Sequence, residues 1–156
     1  MTVQQWSRWQ AFLLLVTVLC MVAACSGDTG SSSGQTPCAT PSRFGVGGDR
    51  NEIRGTSRDA SLWGLALGPG RVPPHVGDEL KIVWRMTGTG PLRVKFRAPD
   101  GSVRPLMFGP EPHAVSSFDR PGDEWGTGFR FGAAGCWHIH LARADTSGDI
   151  WLDVAR

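Results

Sequence analysis

This sequence has no run of twenty apolar residues. Its longest, AFLLLVTVLCMVAA at 11–24, stops at fourteen, and a membrane-spanning helix needs roughly 20. Lysine is scarce, with two residues against 14 arginines, and the cations form no run. That removes the basic stripe expected of a nucleic-acid binder and the polybasic tract of a protein drawn to anionic lipid. There is no Walker-type loop, dinucleotide fingerprint, zinc C-x-x-C pair or EF-hand loop, so no nucleotide, zinc or calcium site is signalled by motif. After residue 25 no stretch holds a 3.6-residue apolar period, and nothing repeats. Helices, a solenoid and a second domain are not expected.

The amino terminus is more informative. MTVQQWSRWQ, with the single charge Arg8, precedes the apolar run, which is the order of an export signal. Val22, Ala23, Ala24 and Cys25 follow, and then SGDTGSSSGQTP. The two small residues let the chain lie extended in a peptidase cleft. This quartet resembles the lipobox of bacterial lipoproteins, with Val22 where most have Leu. The resemblance implies diacylglycerol on the Cys25 thiol, cleavage before it, and acylation of the new amino terminus. Each buried methylene adds about 0.8 kcal/mol, so two or three acyl chains hold a protein where one does not. The expected organisation is a lipoprotein signal peptide at 1–24, a flexible tether at 25–37 and one globular domain at 38–156. A Gly/Ser-rich tether of a dozen residues reaches about 20 Å.

Without residues 1–24, 15 basic residues face 14 acidic ones, a near-neutral balance that points to no charged polymer as partner. The remaining chain suits one small domain. The 21 glycines and 11 prolines of the sequence imply many turns and short strands. Strands are expected near 61–67, 79–87, 91–98, 113–118, 127–132, 136–143 and 149–155, separated by turn sequences such as TGTG, PDGS, DRPGDE and ADTSGD. Alternation assigns faces: Leu80, Ile82, Trp84 and Met86 on one side, Lys81, Val83 and Arg85 on the other. Leu92, Val94 and Phe96 likewise alternate with Arg93, Lys95 and Arg97. This is the pattern of half-buried antiparallel strands. About seven of them, with a tryptophan on a central one, predict an all-β, immunoglobulin-like antiparallel sandwich, the alternative being a small Greek-key barrel.

In CWHIHLAR at 136–143, period two puts Trp137, Ile139 and Leu141 on the core side and Cys136, His138, His140 and Ala142 on the wetter side. TPCATPS (36–42), SLW (61–63) and FGAAGCW (131–137) are similar to small secreted bacterial domains, mostly uncharacterised and often lipoproteins. The resemblance covers residues 36–156 and implies an immunoglobulin-like fold in the envelope, with no activity to carry over. It and the cysteine count point to a Cys38–Cys136 disulfide, since Cys20 leaves with the signal and Cys25 carries lipid. A bridge closing so long a loop adds up to about 4.7 kcal/mol in the chain-entropy model.

Two places invite chemistry. His138 and His140, two apart on a strand, are within reach of one copper or zinc ion, with His113, His75 or Asp149 as the available third ligand. The segment 109–129 gathers His113, Ser116, Ser117, Asp119, Asp123, Glu124 and Trp125, but no G-x-S-x-G elbow supports a hydrolase. The bland account of each is a solvated strand face and a loop at the end of a sandwich, where binding surfaces of such folds lie. The expectation is a lipid-anchored protein on the extracytoplasmic face of the cell membrane, a binding or structural module with no catalytic residue, no cofactor and no nucleic acid. Its anchor is the lipid on Cys25, and its partner is an unnamed envelope protein. A copper- or zinc-binding lipoprotein is the first alternative, an envelope hydrolase the second.

Overall fold

The computed structural model describes residues 36–68 and 71–156. The expected signal peptide, Cys25 and nearly all of the expected tether lie outside the described residues. Ten strands follow in chain order: β1 Glu52–Arg54, β2 Thr56–Arg58, β3 Leu62–Leu67, β4 Glu79–Met86, β5 Arg93–Arg97, β6 Val103–Arg104, β7 Phe108–Pro112, β8 Asp123–Arg130, β9 Gly135–Ala142 and β10 Ser147–Val154. They form two antiparallel five-stranded sheets, β1-β3-β4-β8-β7 and β2-β10-β9-β5-β6. The described residues contain no helix. The sheets face each other as a sandwich and do not close into a barrel, which disposes of the Greek-key barrel alternative.

The core is the inner face that alternation assigns. Leu80, Ile82, Trp84 and Met86 of β4 are buried, as are Trp137, Ile139 and Leu141 of β9 and Ile150, Leu152 and Val154 of β10. Aromatic rings fill the space between the sheets: Phe96 stacks on Trp137 at 4.6 Å and meets Phe129 edge-on at 4.8 Å. Trp84 lies on the central strand of its sheet and donates its Nε1–H to Thr127 Oγ1 at 2.7 Å. A buried indole needs that partner, because an unmet donor costs on the order of 1–3 kcal/mol. Opposite it, Gly64 leaves the space the ring occupies: a Cβ there would come within 2.7 Å of the Trp84 indole.

The structure corrects two expectations about strands. There are ten in place of about seven, the extra ones being β1, β2 and β6, which are two or three residues long and too short to show a period. HAVSSF at 113–118 forms no strand. The strand beside β8 is β7, Phe108–Pro112, which contains Gly109 and two prolines and sits at the sheet edge, where proline's missing N–H breaks no ladder.

Cys38 and Cys136 lie at disulfide distance, with Cα atoms 4.8 Å apart, inside the range such a bridge requires. Thr36 already belongs to the domain, since its carbonyl accepts the Cys136 N–H at 3.2 Å. The chain therefore enters the sandwich at the end that holds Glu79, Arg130 and Gly135. Met86, Asp123 and Arg143 mark the opposite end, about 24 Å away along eight-residue strands.

Candidate functional sites on the two outer faces

On the outer face of the first sheet, Arg85 of β4 pairs with Glu124 of β8. Glu124 is buried and receives three groups: both oxygens accept the Ser117 N–H at 2.9 and 3.1 Å, Arg85 lies at 3.5 Å and His113 Nδ1 at 3.2 Å. Burial works against its ionisation. The bonds from Ser117, Arg85 and His113 outweigh that and hold the carboxyl below the ordinary glutamate value. Arg85 also donates to Ser116 Oγ at 2.6 Å and to the Phe118 carbonyl at 3.4 Å. One carboxylate and one guanidinium thus latch residues 113–118 down on the sheet.

Glycines of β8 make room for what lies above. A Cβ on Gly126 would meet the His113 ring at 2.9 Å, and one on Gly128 would meet the Phe108 ring at 2.4 Å. Val83, assigned to the outer face, is nevertheless fully buried there, between Leu65 and Gly126 in the ladder. Further along the same face Arg120 lies over the Trp63 ring at 4.5 Å and pairs with the buried Glu52 at 2.5 Å.

Beside the latch a cleft of about 560 Å³ opens at the end remote from Cys38, lined among others by Arg85, His113, Asp123, Trp125 and Arg143. Arg143 is the residue that the sequence reading missed. It is buried, lies over Trp125 at 4.6 Å, and donates to the carbonyls of Gly90 at 2.9 Å and Met86 at 2.8 Å and to Asp123 Oδ2 at 2.6 Å. Of the seven residues singled out at 109–129, His113, Ser116, Asp123, Glu124 and Trp125 line this cleft. Ser116 donates its hydroxyl to the Phe118 carbonyl at 2.8 Å and accepts from Arg85, so its hydrogen bonds go to the loop and not to His113. Ser117 contributes its backbone N–H, and Asp119 lends its carbonyl to Arg120 at 3.0 Å.

The outer face of the second sheet is built differently. His138 and His140 of β9 stand beside Trp151 and Asp149 of β10. His138 Nε2 lies 2.6 Å from Asp149 Oδ1, and His140 Nδ1 lies 2.8 Å from the same oxygen. The His138 ring stacks on Trp151 at 3.9 Å with only 5° between planes. Partial burial opposes ionisation of Asp149, but the bonds from His140 and His138 and their charge prevail and keep its carboxyl below the ordinary aspartate value. Of the three possible third ligands, the fold brings Asp149 to the histidines. His113 is on the other sheet, and His75 lies in the turn before β4, where its N–H bonds Asp78 at 2.9 Å.

A third cluster, Cys38, Cys136 and Asp153, has its sulfurs engaged with each other, and Asp153 Oδ1 accepts the Cys38 N–H at 2.6 Å. No family model, curated protein or solved structure matches this chain.

Proposed function

We propose that this chain is a lipid-anchored protein of the bacterial cell envelope, held on the extracytoplasmic face through Cys25, whose sandwich is a binding module. The observation that carries the binding role is the cleft walled by Arg85, Asp123 and Arg143 at the end of the domain remote from the chain's entry at Thr36–Cys38. A domain tethered at one end leaves its other end free to meet an envelope partner. Cys38 and Cys136 at disulfide distance fit an oxidising compartment. The anchor itself rests on the Val22–Cys25 quartet and the run before it.

Replacing Cys25 by Ala is expected to release the protein from membranes or leave its precursor uncleaved. A processed Cys25→Ala species that fractionates with membranes like the wild type would end the lipoprotein reading. For the module, a photo-crosslinking residue at Ala114 on the cleft is expected to trap a discrete partner in cells that one at Arg58, on the other sheet, does not trap. Identical adducts from both positions would remove the cleft from the account.

A further inference from the structure

The face of the second sheet offers a more specific chemistry. One ring nitrogen from each of His138 and His140 and a carboxylate oxygen of Asp149 all lie within 4.8 Å of one another. Neighbouring ligands of one transition ion, each roughly 2.0–2.2 Å from it, stand about 3.3–3.6 Å apart at the tetrahedral angle and about 2.8–3.1 Å apart at a right angle. The two nitrogen-to-oxygen separations, 2.6 and 2.8 Å, now describe hydrogen bonds. A common centre requires side-chain rotations that open these separations and close the remaining gap.

The backbone beneath is rigid. β9 is paired on both sides, with β10 and with β5, so the two histidines keep their spacing, and the flat stack on Trp151 fixes the plane of His138. None of the three side chains is needed to fill the core, which lies on the other side of the strand. Three half-exposed donors on an open face leave coordination positions for solvent or for a ligand brought by a partner.

We propose that His138, His140 and Asp149 form a binding site for a divalent first-row transition ion, copper(II) held most tightly and zinc(II) next. Two imidazoles and one carboxylate are borderline donors, too few and too nitrogen-rich for calcium or magnesium. Among first-row divalent ions such a set follows the order that peaks at copper. The charged neighbours set a limit on affinity: Lys95 stands beside His140 and Arg97 beside His138 in the β5 ladder. Arg97 turns away to donate to the Gly101 carbonyl at 3.2 Å. On the other side Asp149 is flanked by Thr56, which adds no charge. The inference stands independently of the lipid anchor.

The test uses the full chain, purified in detergent, titrated with copper(II) alone and followed by calorimetry and electron paramagnetic resonance. One ion per chain is expected, with the spectral signature of two imidazole nitrogens. Asp149→Asn is expected to weaken binding by at least about tenfold, the least that lost metal partners cost, and the His138→Ala/His140→Ala double variant to abolish it. His113→Ala and His75→Ala are expected to bind like the wild type. On the wild-type chain, substoichiometric copper(II) is expected to broaden the NMR signals of His138 and His140 before those of His113 and His75. This readout does not depend on any variant folding. Binding by the double variant as tight as the wild type, or broadening that begins at His113 or His75, would overturn the assignment.

Discussion

The two outer faces use the same ingredients, histidine beside carboxylate, to opposite ends. On the first sheet Glu124 lies under the loop that carries His113, and the carboxylate is consumed by Ser117, Arg85 and His113. On the second sheet His138 and His140 both bond the Asp149 side chain, with Trp151 alongside, and among the described residues no loop is latched to them in this way. A polar cluster that ties down the backbone of a loop, as Arg85 and Glu124 tie 113–118, is part of the fold. One that spans two adjacent strands of an already paired sheet adds little to the fold and is free for something else. Chemically similar residues are thus sorted by what else hangs on them.

Four substitutions rank that difference. The largest effect belongs to the support both faces share. Trp137 lies directly beneath the His138 face, stacks on Phe96 and donates to the Ala133 carbonyl at 2.8 Å. Trp137→Ala is expected to cost about 3–5 kcal/mol in urea melts, a large part of the stability of so small a domain.

Next comes Glu124→Ala, which leaves Arg85 facing a vacated site and frees the Ser117 N–H. A loss of about 3 kcal/mol is expected, with faster hydrogen exchange at Ser117 as the local sign that the latch has opened. Smallest are His138→Ala and His140→Ala, each expected within about 0.5 kcal/mol of wild type.

Acid should separate the faces as well. The Glu124 carboxyl has a lowered value in the folded chain. Its contribution is therefore complete above the unfolded value, near 4.5, and is lost as pH falls through the folded one. Asp149 follows the same sign from 3.8, with more solvent screening. Melts between pH 6 and pH 3 are expected to steepen less for Glu124→Ala than for wild type, while Asp149→Asn changes the slope little.

How much of this was legible follows from the residues. β9 was readable to within one residue at each end, with its faces, because Trp137, Ile139 and Leu141 alternate strictly with His138, His140 and Ala142. β8 was readable only in its second half. Asp123, Glu124, Gly126 and Gly128 look like a turn, and the reason for two glycines in a strand, the rings of His113 and Phe108 above them, comes from outside the segment. HAVSSF has the composition of a strand but is held as a loop by Glu124 of β8 and Arg85 of β4, side chains outside the segment that no local pattern contains. Asp149 was one of three candidates for a third ligand until the β9–β10 register set it opposite His140. Arg143 was invisible because two of its partners are carbonyl groups, which every residue has.

The sharpest measurement sets the two faces side by side: urea unfolding of Glu124→Ala and of the His138→Ala/His140→Ala double variant at pH 7, in metal-free buffer. The account predicts that the Glu124 variant loses about 3 kcal/mol, and that the double variant loses about 1 kcal/mol or less. Equal losses, or a double variant less stable than Glu124→Ala, would contradict it, because the histidine face would then be part of what holds the sandwich together.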